Sequence, residues 1–289
     1  MRFILALVWA GSALAAALEP GSLPSKFGPS GPNCVAVPDW QVHAYNEDFY
    51  ILRESGCTNY EKPFLYLIFG NDFALLEDTG AGKADAAPQV LALLEKWAKL
   101  KKRSTIPLIV IHSHGHGDHT SGDKQFQALP NVKFIPATLA AISELGQELD
   151  LGGRVLDILP IPGHNNASIA LYDRKTGILL TGDSLYPGRL YVPIADYPDF
   201  AASAAKLAAF VKTHPIAHVL GAHIEQAATP YVDYPTGTVY QSEEHALALT
   251  RAHVLELNEA CQSMGATPKT TALPDFTIVI RPARPTRQP

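Results

Sequence analysis

Charge is sparse in this sequence, and positive charge the sparser. Lys and Arg number 23 against 28 Asp and Glu, charged residues make up 18% of the 289, and the formal net charge is -5. A basic face that gathers phosphates by releasing counterions is therefore excluded, and with it nucleic acid as a partner. Long apolar runs are missing too. The N-terminal run Phe3 to Trp9 is far shorter than the roughly 20 residues that cross a bilayer, so no stable membrane insertion is expected. With Arg2 ahead of it and Ala15-Ala16-Ala17 behind, the run reads as an export signal over 1–17, and the mature chain is expected to be secreted or periplasmic. Cysteine is reduced to Cys34, Cys57 and Cys261. In an oxidising compartment an early pair, Cys34 with Cys57, closes the N-terminal segment; three buried thiols are the other reading, and the odd count leaves one cysteine unexplained either way.

What is present suits one large core. At 47% apolar composition the chain divides into a leader over 18–34, where the Gly/Pro/Ser stretch Pro20 to Pro32 shows no periodicity, a catalytic domain over 35–262, and a Pro- and Arg-rich tail over 263–289. A strand is expected at Gln41 to Leu52, then a hairpin from Phe64–Phe69 through Gly70-Asn71-Asp72 to Phe73–Glu77. Gln89 to Leu100 has apolar residues at helical spacing, and the continuous run Ile106 to Ile111 reads as a buried strand. The second half repeats the plan: strands near Val132–Ile135, Val155–Leu159, Ser168–Tyr172, Ile178–Leu180 and His218–Leu220, with helices at Phe200–Lys212 and Ser242–Cys261. Phe276 to Ile280 is strand-like, in a tail expected to be peripheral. Two similar halves of strands and helices predict an α/β fold, a four-layer αβ/βα sandwich of sheet on sheet with helices outside.

The chemistry-bearing segment is His112-Ser113-His114-Gly115-His116-Gly117-Asp118-His119, a loop between a buried strand and a helix. In extended chain, alternation by two puts His114 and His116 on one side, and the glycines let the backbone turn, so both rings reach one ion. Where the chain bends, Asp118 and His119 point elsewhere and offer a second ion a carboxylate and a nitrogen; paired ions of this kind serve two-metal hydrolysis. Three more polar residues follow apolar runs beside glycines: His164 in Pro162-Gly163-His164, Asp183 in Thr181-Gly182-Asp183, and His223 in Gly221-Ala222-His223. Strand-end loops are where scaffolds expose functional groups. His43, His112, His214, His218, His245 and His253 have no place in the pattern and are assigned to packing or surface.

From His114 to His119 the chain resembles the His-x-His-x-Asp-His signature of the metallo-β-lactamase superfamily, and the later segments follow in the family's order over roughly Leu65 to Glu225. The resemblance implies one metal on His114, His116 and His164, a second on Asp118, His119 and His223, and Asp183 bridging the two together with a hydroxide. It implies two zinc ions, with iron or manganese as alternatives, a small-molecule substrate, and attack of the hydroxide on a carbonyl in a lactone, ester or thioester. Asp118 is expected to ligate and to pass a proton to the leaving group. Tyr186 resembles a tyrosine of N-acyl-homoserine lactonases that contacts the substrate carbonyl, which implies an oxyanion donor; a packed aromatic is the other reading. Arg189 and Tyr191 are expected to line the pocket, Arg189 facing an acidic substrate group. Where many relatives continue after the Pro-Gly-His histidine with Thr-Pro-Gly-Ser, this chain has Asn165-Asn166-Ala167-Ser168, a change to the surroundings of His164 and not to the ligand. True metallo-β-lactamases generally lack an aspartate at the position of Asp183, which disfavours a β-lactam substrate. Glyoxalase II relatives add a glutathione-binding helical region for which little chain follows His223. A persulfide dioxygenase, with one iron on His114, His164 and Asp183, is the reading from a different reaction class.

Overall fold

The computed structural model describes residues 17–27, 33–35 and 37–282. The export signal expected at 1–17 lies outside the described residues except for Ala17, as does the end of the tail from 283. The first sheet has the order β1 (Trp40–Asn46), β2 (Phe49–Glu54), β3 (Phe64–Phe69), β4 (Ala74–Glu77), β5 (Leu108–Ile111), β6 (Val132–Phe134), and α1 (Ala87–Leu100) crosses between β4 and β5. Short helices α2 (Gly117–Thr120), α3 (Lys124–Gln127) and α4 (Leu139–Leu145) lead to β7 (Glu148–Asp150), β8 (Val155–Pro160), β9 (Ile169–Asp173), β10 (Ile178–Leu180) and β11 (Arg189–Pro193). After α5 (Tyr197–Thr213) come β12 (His218–Leu220), β13 (Ala248–Leu249), α6 (Arg251–Met264), β14 (Thr271–Ala272) and β15 (Thr277–Arg281). The second sheet has the order β13-β12-β10-β9-β8-β7, and β11-β15-β14 form a third, smaller sheet.

The layers follow from strand periodicity with both faces buried. Ile51, Tyr66, Ile68, Leu75, Ile109 and Ile111 of the first sheet pack against Ile158, Ile169, Leu171, Ile178 and Leu180 of the second. Their alternates Leu52, Leu65, Leu67, Leu76 and Val110 pack on Val90, Leu94 and Trp97 of α1. On the other side Ala170, Tyr172, Leu179 and Val219 meet Phe200, Leu207 and Val211 of α5 and Val254 and Leu257 of α6. Because successive side chains point to opposite faces and each face has a layer to cover it, these strands read as unbroken apolar runs. The expected four-layer αβ/βα sandwich is the observed fold.

Three expectations are corrected. The single strand over Gln41 to Leu52 is a hairpin, because Asn46 Oδ1 accepts from the Asp48 backbone N–H at 2.9 Å and turns the chain. The last helix starts nine residues late, at Arg251, behind a Thr250 cap whose backbone N–H is held by His253 Nδ1 at 2.9 Å. The preceding segment is drawn out of the helix because Glu244 makes a buried two-pronged ion pair with Arg53 at 2.6 and 2.8 Å. The strand-like run of the tail is not peripheral: β15 pairs in parallel with β11, and Phe276 and Ile278 are fully buried against α5 and α6.

Cys34 and Cys57 form a disulfide across 23 residues, with Cys261 the free, buried thiol. Closing a loop of that length restricts the unfolded chain, so Cys57→Ser is expected to cost about 3 kcal/mol of stability. Urea unfolding of the oxidised protein and the variant reads this directly, and equal midpoints would mean that the bridge does not form.

Candidate metal centre

Strand direction brings the site together. β4 and β5 are parallel, and β8, β10 and β12 run in one direction because β9 is antiparallel to both β8 and β10 while β10 and β12 are parallel. Asp78 follows β4, the His112–His119 loop follows β5, and His164, Asp183 and His223 follow β8, β10 and β12. The two sheets are stitched at this edge: the Ile169 N–H donates to Ser113 O at 2.9 Å, the Phe64 N–H to Ala222 O at 2.9 Å, and the Tyr66 hydroxyl to Gly221 O at 2.6 Å. Two glycines allow the close approach. At Gly163, with φ +137°, a Cβ would lie 2.4 Å from Phe200 Cα, and at Gly182, with φ +49°, one would lie 2.8 Å from Ser113 Cβ.

All seven expected residues converge, in two groups: His114, His116 and His164, and Asp118, His119, Asp183 and His223. His116 Nδ1 lies 3.0 Å from His114 Nε2 and 2.9 Å from His164 Nε2. Asp118 Oδ2 lies 3.1 Å from Nε2 of both His119 and His223. Asp183 faces both groups. Its Oδ1 is 3.5 and 3.2 Å from His119 and His223, and its Oδ2 is 3.4 and 3.8 Å from His164 and His114.

The backs of the rings fix which nitrogen faces inward. His164 Nδ1 donates to Tyr191 O at 2.8 Å, and His223 Nδ1 to Glu61 O at 2.9 Å. A carbonyl only accepts, so the proton of each ring sits on Nδ1 and Nε2 presents a lone pair to the centre. His119 Nδ1 is held in the same way by Asp78 Oδ2 at 2.8 Å. The altered Asn165–Ser168 segment therefore leaves His164 oriented, since its acceptor comes from β11.

The inward nitrogens and carboxylate oxygens crowd to about 3 Å of one another, an arrangement that a cation among them would hold together, and buried Asp183 Oδ1 has no hydrogen-bond partner. Burial holds His164 below its ordinary pKa, and burial with repulsion from His119 holds His114 well below, so these rings stay neutral and free to ligate. In the other group burial opposes charge on His119, but Asp118, Asp78 and Asp183 override it and pull its pKa well up. Burial likewise opposes ionisation of Asp78, yet His119 beside it holds its carboxyl well below the usual range. That group demands positive charge, and mixed nitrogen and oxygen donors suit a divalent cation such as zinc. The residues fit the metals.

Beside the centre opens a cleft of about 670 Å³ lined by Asp118, His164, Asp183, Tyr186 and Tyr191, among others. Two expectations for this wall change. The Tyr186 hydroxyl donates to Arg189 O at 2.5 Å, with Glu225 Oε2 at 3.1 Å, so its one proton is committed away from an oxyanion. Arg189 does not face a substrate either: its guanidinium is spent on Glu225 at 3.0 Å, Tyr234 O at 2.7 Å and the Tyr191 hydroxyl at 3.0 Å. Sequence reasoning passed over Asp78, which also accepts from the Ser113 backbone N–H and hydroxyl at 2.8 Å each. Its signal was the one that marked Asp183, a carboxylate after an apolar run and next to Thr-Gly.

Two sheets face to face, helices outside, and a histidine–aspartate centre at one edge define a metallo-β-lactamase fold. No family model matches the chain. Among curated proteins it is 23% identical over 228 residues to the acyl-coenzyme A thioesterase MBLAC2 of Bos taurus, covering 64% of this chain and 81% of that one. It is 27% identical over 213 residues to a hydroxyacylglutathione hydrolase of Stenotrophomonas maltophilia, covering 69% and 77%. Among solved structures the metallo-β-lactamase IND-7 matches with a TM-score of 0.51 and 16% identity over 77% of this chain and 99% of that one. The chain is a metal-dependent hydrolase of the metallo-β-lactamase superfamily. Among the described residues, no helix is long and apolar enough to cross a membrane.

Proposed function

We propose that this protein hydrolyses thioesters with two divalent cations, zinc in the first instance, one held by His114, His116 and His164 and the other by Asp118, His119 and His223. The observation that carries the reading is Asp183, whose two oxygens face one group each. When bound, such a pair of ions lowers the pKa of a shared water towards neutrality and polarises the carbonyl under attack. The side chains do the rest. Tyr191 O, Glu61 O and Asp78 hold the Nδ1 atoms and so turn the Nε2 atoms of His164, His223 and His119 inward, and Asp118, which lines the cleft, is the carboxylate that would pass a proton to the departing group. A thiolate, with a pKa of about 8.5, departs with little help from a proton donor. Both curated relatives are named for removing acyl groups from sulfur carriers, which supports thioesters over the lactones suggested by Tyr186. The Cys34–Cys57 disulfide supports export to an oxidising compartment.

The test uses zinc-reconstituted protein and a panel of a butyryl thioester, an acyl-homoserine lactone, a simple ester and a β-lactam, with metal content measured alongside. Thioester cleavage with kcat/KM of at least about 10⁴ M⁻¹s⁻¹, abolished by a chelator, is expected. Cleavage of the lactone alone overturns the substrate. One iron per chain with no hydrolysis of any member overturns the two-metal reading and points to persulfide oxidation on His114, His164 and Asp183.

A further inference from the structure

Apart from the histidines of the centre, the wall of the cleft carries one basic side chain among the described residues, Arg281, at the end of β15 opposite Pro193 of β11. Its guanidinium lies over the Tyr191 ring, 3.7 Å from the centroid, and pairs with no carboxylate among the described residues. Stacking occupies the flat face of a guanidinium and leaves its edge free to donate two parallel hydrogen bonds, the arrangement that grips a carboxylate. Tyr191 is also the residue whose carbonyl orients His164, so this charge is anchored one residue from the centre. The rest of the wall limits what the charge can serve. Glu225 is neutralised by Arg189 at 3.0 Å, whereas Glu61 and Asp196 line the cleft with no cation paired to either among the described residues. Away from the metal centre, the one arginine suits a single carboxylate, while further anionic groups of a larger carrier would come against Glu61 or Asp196.

We propose that Arg281, stacked on Tyr191, anchors a single carboxylate of the substrate away from the bond that is cut, so that the cleft selects carboxylate-bearing thioesters over those of polyphosphate carriers. The inference rests on the thioester reading for its assay. Two isosteric pairs test it: the butyryl thioesters of 3-mercaptopropionate and 3-mercaptopropionamide, and the glutaryl and glutaramoyl thioesters of N-acetylcysteamine. In one pair the carboxylate is expected to be preferred about 10- to 100-fold in kcat/KM, through KM, as befits a charged hydrogen bond. The pair that shows the preference tells whether the carboxylate lies on the thiol or the acyl side. Arg281→Met is expected to bring the ratio to about 1, Arg281→Lys to leave part of it, and Arg281→Glu to invert it. A ratio near 1 in both pairs for the wild type, or one that survives in Arg281→Met, overturns the anchor. Butyryl-coenzyme A turned over faster than the mercaptopropionate thioester overturns the selection. If no thioester is cleaved, calorimetric binding of 3-(butylthio)propionate and its amide separates the two failures. A carboxylate preference lost in Arg281→Met then upholds the anchor while the thioester reading falls, and equal binding of acid and amide sinks both.

Discussion

Exchanging Asp183 for Asn is expected to lower kcat on the order of 10³-fold and to reduce bound metal from two ions per chain towards one. The change keeps the shape and removes the charge. Asp183 is buried, each oxygen faces a different group of nitrogens, and its Oδ1 has no other partner, so no neighbouring carboxylate can take over between the groups. An amide offers one neutral oxygen where two charged ones stood, and charge placed in a water-poor site is where single substitutions cost 10²- to 10³-fold or more. Metal analysis and steady-state kinetics on the same preparation give the answer. A variant that still binds two ions and keeps kcat within tenfold would remove Asp183 from the centre. Asp118 would then have to carry the second group with His119 and His223 alone.

The second large effect is expected far from the chemistry. Arg154, just ahead of β8, is almost fully buried and donates to Asp173 through Nε at 3.1 Å and through its second terminal nitrogen at 2.6 Å. The other terminal nitrogen donates to Asp48 O at 2.8 Å and Phe69 O at 3.0 Å. One side chain of the second half thus binds the end of the second sheet to the β1–β2 turn and the end of β3, at the edge opposite the metal centre. Arg154→Met leaves the Asp173 carboxylate buried without its counter-charge and is expected to cost about 3–5 kcal/mol. That is a large part of the 5–15 kcal/mol typical of a folded domain. Urea unfolding measures the loss, while metal content and kcat of the folded fraction are expected to stay at the wild-type level because the centre lies at the other edge. The double variant with Asp173→Leu is expected to regain part of the loss, since removing both charges is less costly than removing one. A loss below about 1 kcal/mol in the single variant would mean that water reaches the pair.

How much of this was legible in the sequence depended on whether the signal was local. Most strands of the two large sheets, α1 and α5 were readable because their apolar patterns carry their own period, and the site residues because each follows an apolar run beside a glycine, whereas the short edge strands β7 and β13 were not anticipated. The hairpin at Asn46 to Asp48 had a local turn signal that the surrounding strand pattern hid. The start of α6 had a local signal in the Thr250 cap, but what draws the preceding segment out of the helix is Arg53, 191 residues away from Glu244. The buried third sheet was missed for the same reason: β15 pairs with β11, whose Arg189 lies 88 positions before its partner Thr277.

The division is sharpest within the site. The sequence by itself determined the seven residues and their order, since residue type and local spacing set what can bind a metal at a strand end. Only the tertiary structure decided which nitrogen of each ring faces the centre, because the acceptors at Tyr191, Glu61 and Asp78 lie 27, 162 and 41 positions from the histidines they hold. It also decided that Arg189 is consumed by Glu225 while Arg281, stacked over Tyr191, meets no carboxylate among the described residues, a choice between two guanidiniums that depends on which carboxylates the fold brings within reach.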